Sequence, residues 1–150
     1  MHSPFIYPDG SSRLSPLKIS GILLFIIMAA LLVFSVIEKS EIAELMDARD
    51  LAISQRSIPD YSALIYSDYN DQGRSKVDAV AQMVALFDKF DGAAMHSHDR
   101  HIQQLDDNHA ICDQSYTLKV LADGEWRQIV QREQLTLTRD SGGWKISGGL

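Results

Sequence analysis

The chain has 150 residues, about the length of one domain, which excludes a large multidomain enzyme. Its 45% hydrophobic and 23% charged composition, with nine Gly and four Pro, is that of a chain that buries a core rather than a disordered or collagenous one. Fourteen Lys and Arg against twenty Asp and Glu leave a net charge of −6 without a basic cluster, so no nucleic-acid partner is expected, and a single cysteine, Cys112, excludes an internal disulfide framework and multi-cysteine metal or iron–sulfur sites.

Residues 1–17 carry Pro4, Pro8 and Pro16 among Ser and Gly and have little apolar surface to bury, which predicts a disordered tail. From Ile19 to Ile37 run nineteen residues without a charge. At about 1.5 Å per residue they reach roughly 28 Å, close to the roughly 30 Å of a bilayer's hydrocarbon layer, which predicts a transmembrane helix over 18–37 in contact with membrane lipid. A cleaved signal peptide would end its apolar run in a small-x-small pattern, whereas this one ends Phe34-Ser35-Val36-Ile37-Glu38. Arg13 and Lys18 before the span balance Lys39 and Arg49 after it, but the acidity beyond the helix favours an extracytoplasmic soluble domain over residues 38–150. With Arg13 and Lys18 set against Asp9 in the preceding part, that domain carries a charge of −7.

No proline or glycine separates Gly21 from Pro59, so the helix can continue past the span. Ile42, Leu45, Met46, Ala52 and Ile53 form an apolar stripe opposite Glu44, Asp47 and Asp50. Arg49 falls on the stripe and is expected to lay its stem along the surface with its head in water. Ser57 to Gly73 reads as a short helix and loop. Ser75 and Asp78 have capping-box spacing, and Val77, Val80, Met83, Val84, Phe87 and Phe90 repeat as a helix does up to the stop at Asp91-Gly92. Period two then takes over, with Ala110, Cys112, Tyr116, Leu118 and Val120 on one side of a strand and Asp113, Ser115, Thr117 and Lys119 on the other. Asp123-Gly124 predicts a tight hairpin. In the following strand Trp126 and Val130 have the opposite parity to Leu135 and Leu137, which predicts a bulge between them. Ser141-Gly142-Gly143 closes a last hairpin before Trp144-Lys145-Ile146. The fold class expected is α+β: one N-terminal transmembrane helix, then a curved antiparallel sheet with helices packed on its concave face.

The string Asp68-Tyr69-Asn70-Asp71-Gln72-Gly73-Arg74-Ser75-Lys76 before an apolar helix, and the ending from Leu135 to Ile146 with its Trp after a glycine turn, resemble the nuclear transport factor 2-like superfamily, which includes SnoaL-like, cystatin-like cone domains. The resemblance spans roughly residues 41–149. It implies a pocket between the concave sheet and the helices and a homodimer through the sheet. It does not select an activity, because that superfamily hosts isomerases, dehydratases, cyclases and non-catalytic binding proteins.

The densest polar cluster is His96-Ser97-His98-Asp99-Arg100-His101. On a straight strand His96 and His98 share a face and His101 points away, leaving two metal ligands, so no metal is expected; the run also lacks the acid that the metallo-β-lactamase signature wants where Arg100 stands. His96, His98, Asp99 and His101 are the acid–base candidates. If Ile102 faces the interior, so do His96, His98 and Arg100; if Met95 does, so do Ser97, Asp99 and His101. Tyr61, Tyr66, Tyr69 and Tyr116 are candidates to line a ligand pocket, with core packing as the plainer reading. Cys112 reads as a small buried hydrophobe. The absence of a phosphate loop, a dinucleotide fingerprint or a nucleophile elbow predicts no cofactor. The expectation is a single-pass membrane protein whose outer domain binds an envelope protein partner or a small apolar ligand without chemistry, a layout similar to the inner-membrane scaffold subunits of type IV secretion. The alternative is a small isomerase, dehydratase or cyclase-like enzyme with an acid–base site in the cone pocket.

Overall fold

The computed structural model describes the backbone of residues 16–150, and the side chains from residue 24 onward except 34, 35, 37 and 38. The predicted tail therefore lies outside the described residues apart from Pro16 and Leu17, which open the first helix, and the start of the predicted span lies outside the described side chains. The elements run α1 (Pro16–Ser54), α2 (Ile58–Ala63), β1 (Asn70–Asp71), β2 (Arg74–Ser75), α3 (Lys76–Lys89), β3 (Gly92–Gln104), β4 (His109–Ala122), β5 (Glu125–Asp140) and β6 (Gly143–Gly148). The chain divides into two compact units, Met1–Val36 and Ile37–Leu150. In the first, the apolar side chains from Leu24 to Val33 and Val36 are exposed. Among the described residues no helix is long and apolar enough to cross a membrane.

The second unit is an α+β fold. Its four long strands form an antiparallel sheet in the order β3-β4-β5-β6, and β1 and β2 make a separate small hairpin. The stripe on α1 behaves as its spacing requires: Ile42, Leu45, Met46, Ala52 and Ile53 are all buried against the sheet. Each large aliphatic side chain fully buried there contributes on the order of 1.5–3 kcal/mol. Ser57 caps α2 by accepting from the backbone of Asp60, and Ser75 and Asp78 form the reciprocal capping box of α3. Those Ser75 hydrogen bonds hold the Asp78 carboxyl below the usual range. The loop expected before α3 contains the β1–β2 hairpin, turned at Gln72-Gly73. On α3 the inward face is Ala79, Val80, Met83, Leu86 and Phe87, while Val77 and Val84 face outward; the helical repeat was right and its rotation was not.

The sheet departs from the sequence pattern at two places. The predicted bulge in β5 does not exist: β4 and β5 pair without a shift from His109↔Thr138 to Ala122↔Glu125. Trp126 and Val130 keep their parity and stand exposed on the outer face, because the two faces of this strand are apolar at different places along it. The bulge lies in β3. His98 pairs with Ser115 and His101 with Asp113, so Asp99 and Arg100 together oppose the single residue Gln114. Asp99 takes φ +52°, a left-handed conformation that Asp tolerates better than most residues. The inward set therefore switches parity, from Ala93, Met95 and Ser97 to Arg100 and Ile102. Each straight-strand alternative for this segment is corrected by half: Met95 and Ile102 both face inward, and His96, His98, Asp99 and His101 do not.

Candidate ligand-binding site

Three elements place a polar residue among the apolar side chains that face the interior: Arg49 on the α1 stripe, Gln114 between Cys112 and Tyr116 on β4, and Glu133 two residues before Leu135 on β5. A polar group left alone there would be strongly destabilising, so their positions require them to meet. They do. Arg49 Nη1 and Nη2 donate to Glu133 Oε1 and Oε2 at 2.5 and 3.0 Å, a bidentate pair with both side chains nearly withdrawn from water. Gln114 Nε2 donates to Glu133 Oε1 at 2.8 Å. Its Oε1 accepts from Arg100 Nε at 3.0 Å, and Arg100 reaches the α1 backbone at Ala43 O (3.1 Å) and the Asp47 carboxylate (3.0 Å). The β3 bulge is what aims Arg100 at this chain of contacts.

Arg49 is thus not the surface-reaching residue its sequence position implied. Burial by itself would lower its pKa, but the hydrogen bonds and charge of Glu133, with Tyr61 and Asp50 adding less, outweigh burial and hold the guanidinium above the ordinary arginine value. Its Nε is buried without a hydrogen-bond partner among the described residues.

Above this pair lies a cavity of about 340 Å³, bordered by Arg49, Tyr61, Met83, Leu86, Tyr116 and Glu133 among others. Its volume suits a small molecule of one or two rings. Tyr61 is 2% exposed, and its phenol makes no hydrogen bond among the described residues; burial pushes its pKa up. Tyr116 Oη donates to Gln131 Oε1 at 2.6 Å, and burial raises its pKa as well. Tyr69 stands behind the cavity wall, where its Oη accepts from Leu150 N (3.0 Å) and donates to Leu150 O (3.3 Å). Tyr66 is half-buried and does not border the cavity; its backbone N–H donates to Ile146 O where Ile65 bridges β6. Of the tyrosines named from sequence, Tyr61 and Tyr116 reach the cavity.

The histidine cluster occupies the outer side of β3. His96 and His98 stack with ring centroids 6.2 Å apart and planes 4° apart, His98 Nε2 lies 3.8 Å from Asp99 Oδ2, and His101 is exposed opposite Asp113. Among the described residues no three potential metal ligands converge. Cys112 is buried on the inner face, where burial pushes its thiol up to about 11.

Residues 40–148 match the model of one protein family, the SnoaL-like domain. The chain belongs to the SnoaL-like domain family. No curated protein matches it. Solved structures share its fold at low identity. A candidate aromatic ring hydroxylase from Novosphingobium aromaticivorans is 15% identical with a TM-score of 0.68, over 76% of this chain and 87% of that one. A candidate scytalone dehydratase from the same organism is 14% identical with a TM-score of 0.68, over 77% and 83%. A protein of unknown function with a cystatin-like fold from Nostoc punctiforme is 18% identical with a TM-score of 0.63, over 75% and 88%. At such identities the likeness is one of fold.

Proposed function

We propose that this SnoaL-like domain is a membrane-tethered receptor for a small, largely apolar molecule, bound in the cavity between α1, α3 and β5. The observation that carries the reading is the Arg49–Glu133 pair beneath an open cavity: both carboxylate oxygens of Glu133 are already taken by Arg49 and Gln114, so the floor is polar, fixed and electrically balanced. With both carboxylate oxygens held in hydrogen bonds, the Tyr61 phenol and the Met83 and Leu86 side chains are what the cavity offers a ligand. Tethering is supported by the nineteen uncharged residues from Ile19 to Ile37 and by the exposure of Leu24, Phe25, Leu31, Leu32 and Val36, with the domain on the extracytoplasmic side as the charge pattern favours.

Calorimetric titration of the full chain in lipid nanodiscs with 2-naphthol tests the pocket. Heat above that of empty nanodiscs, lost on Met83→Trp, is the expected result, and an identical response from both discs ends the reading. Retention of the chain in carbonate-washed membranes tests the tether; its release into the supernatant removes it.

The second reading, an acid–base enzyme of the isomerase, dehydratase or cyclase kind, is favoured by the inward Glu133 carboxylate close to two phenols and by the candidate dehydratase among its fold relatives. Under that reading the wild-type chain speeds α-proton exchange of a cyclic ketone such as 2-tetralone and Glu133→Gln does not.

A further inference from the structure

The outward residues of β3, β4 and β5 line up in rungs across the sheet, and two neighbouring rungs differ in kind. Gly92, Leu121 and Trp126 form the first. Because Gly92 has no side chain, the indole of Trp126 reaches across Leu121 to β3: a Cβ on Gly92 would come within 3.0 Å of Trp126 Cη2 and 3.2 Å of Leu121 Cβ. Trp126 is nevertheless 56% exposed. Ala94, Lys119 and Gln128 form the second rung. The short side chain of Ala94 leaves the space beside Lys119 unfilled, and a cleft of about 390 Å³ opens there, bordered also by Trp126, Arg127 and Gln128. That volume suits a molecule of one or two rings.

The charge of this cleft is opposite to that of the chain. In a protein of net charge −6 neither rung carries a carboxylate, and the next one, His96, Thr117 and Val130, carries none either. Lys119 and Gln128 are exposed, and their side chains make no hydrogen bond or ion pair among the described residues. Arg127 is different, since its Nη2 lies 3.8 Å from Asp123 Oδ2. An ammonium beside an apolar ring attracts an anion more strongly than one surrounded by water, because the ring displaces high-dielectric solvent from one side. The indole face in turn accepts an aromatic ring by offset stacking.

We infer that this cleft is a binding site for a small aromatic carboxylate, with its ring stacked on Trp126 and its carboxylate held between the Lys119 ammonium and the Gln128 amide N–H. The site is separate from the cavity between α1, α3 and β5, which lies on the opposite face of the sheet and has an electrically balanced floor. The surroundings limit the size of the anion. Asp91 and Glu125 directly precede Gly92 and Trp126, and Asp123 forms the adjoining turn. A broad anionic surface laid over this end of the sheet would meet those carboxylates, whereas none of them borders the cleft that one small anion enters.

The full chain, labelled with nitrogen-15 tryptophan in phosphatidylcholine nanodiscs, tests the site, because Trp126 borders the cleft and the other tryptophan, Trp144, is buried. Titration at about pH 7 with 2-naphthoate, ionised there, is expected to shift the Trp126 indole N–H resonance to saturation and to leave that of Trp144 in place. Trp126→Phe assigns the two signals. Lys119→Met should weaken binding about tenfold, the loss of one charge-assisted contact, while Lys119→Arg stays within about threefold of wild type. Lys119 is exposed, so an unchanged Trp144 resonance in both variants verifies the fold. Neutral 2-naphthol, with the same rings, should act on Trp126 about tenfold more weakly than 2-naphthoate. An unmoved Trp126 resonance, a shift confined to Trp144, an equal response to 2-naphthol, or a Lys119→Met chain that titrates like wild type would each overturn the inference.

Discussion

Arg49 and Glu133 stand 84 positions apart in the chain and meet through two hydrogen bonds of 2.5 and 3.0 Å in the interior of the cone. One comes from a helix and the other from a strand, so the contact fixes how α1 lies across β5. Removing only Glu133 leaves a buried cation without a counter-charge. Glu133→Ala should lower unfolding free energy by about 3–5 kcal/mol, whereas Arg49→Met with Glu133→Leu should lose much less than the two single losses together. Urea unfolding of the four species measures the coupling; additive losses would show that the two side chains do not act as a pair.

Asp50 and Ser54, one turn apart on α1, hold the open side of β3. Asp50 accepts from both the backbone N–H (2.5 Å) and the hydroxyl (2.8 Å) of Ser97. Asp50→Ala leaves that N–H without its partner and should reduce stability by about 1–3 kcal/mol. Amide hydrogen exchange at Ser97 is expected to accelerate with it, while exchange at Cys112, in the middle of the sheet, follows only the global change.

Much of this architecture was legible in the chain, because burial imposes a period. The α1 stripe, the capping box at Ser75, the Asp123-Gly124 turn and the alternation of β4 all appear where their spacing puts them. The β3 bulge was not legible, since Asp99 and Arg100 carry neither glycine nor any break in polarity, and one extra residue reverses the face of everything after it. The polar floor had a signal that pattern reading treated as noise. Arg49, Gln114 and Glu133 each interrupt an apolar series, and three interruptions facing one interior must satisfy one another. Their meeting is a long-range fact, so single-element periodicity could raise the question without naming the partners.

Asp99 pays a conformational penalty at φ +52° that glycine would avoid. Asp99→Gly should leave stability within about 1 kcal/mol of wild type and keep Arg100 directed at Gln114 and Asp47. Asp99→Val should lose about 1–2 kcal/mol or more, because a β-branched residue resists the left-handed region. A crystal structure of the valine variant with the bulge unchanged and no loss of stability would refute the role given to this residue.

Cys112 links the interior to alkaline pH. Burial raises its thiol from 9.0 to about 11, and burial likewise raises Tyr61 and Tyr116. In each case the folded state holds its proton more tightly than the unfolded chain does, so the unfolded chain binds fewer protons between the two pKa values. The contribution of Cys112 is therefore fully present below about pH 9 and is lost as pH climbs toward about 11, with the tyrosines acting in the same direction at higher pH. Unfolding followed from pH 7 to 11 should show falling stability above pH 9, and Cys112→Ala should flatten the first part of that fall. At pH 8 the native thiol should react with iodoacetamide about a hundredfold more slowly than in the unfolded chain, since a two-unit rise reduces the thiolate fraction by that factor. Equal labelling of the folded and unfolded forms would place this side chain in water rather than on the inner face of β4.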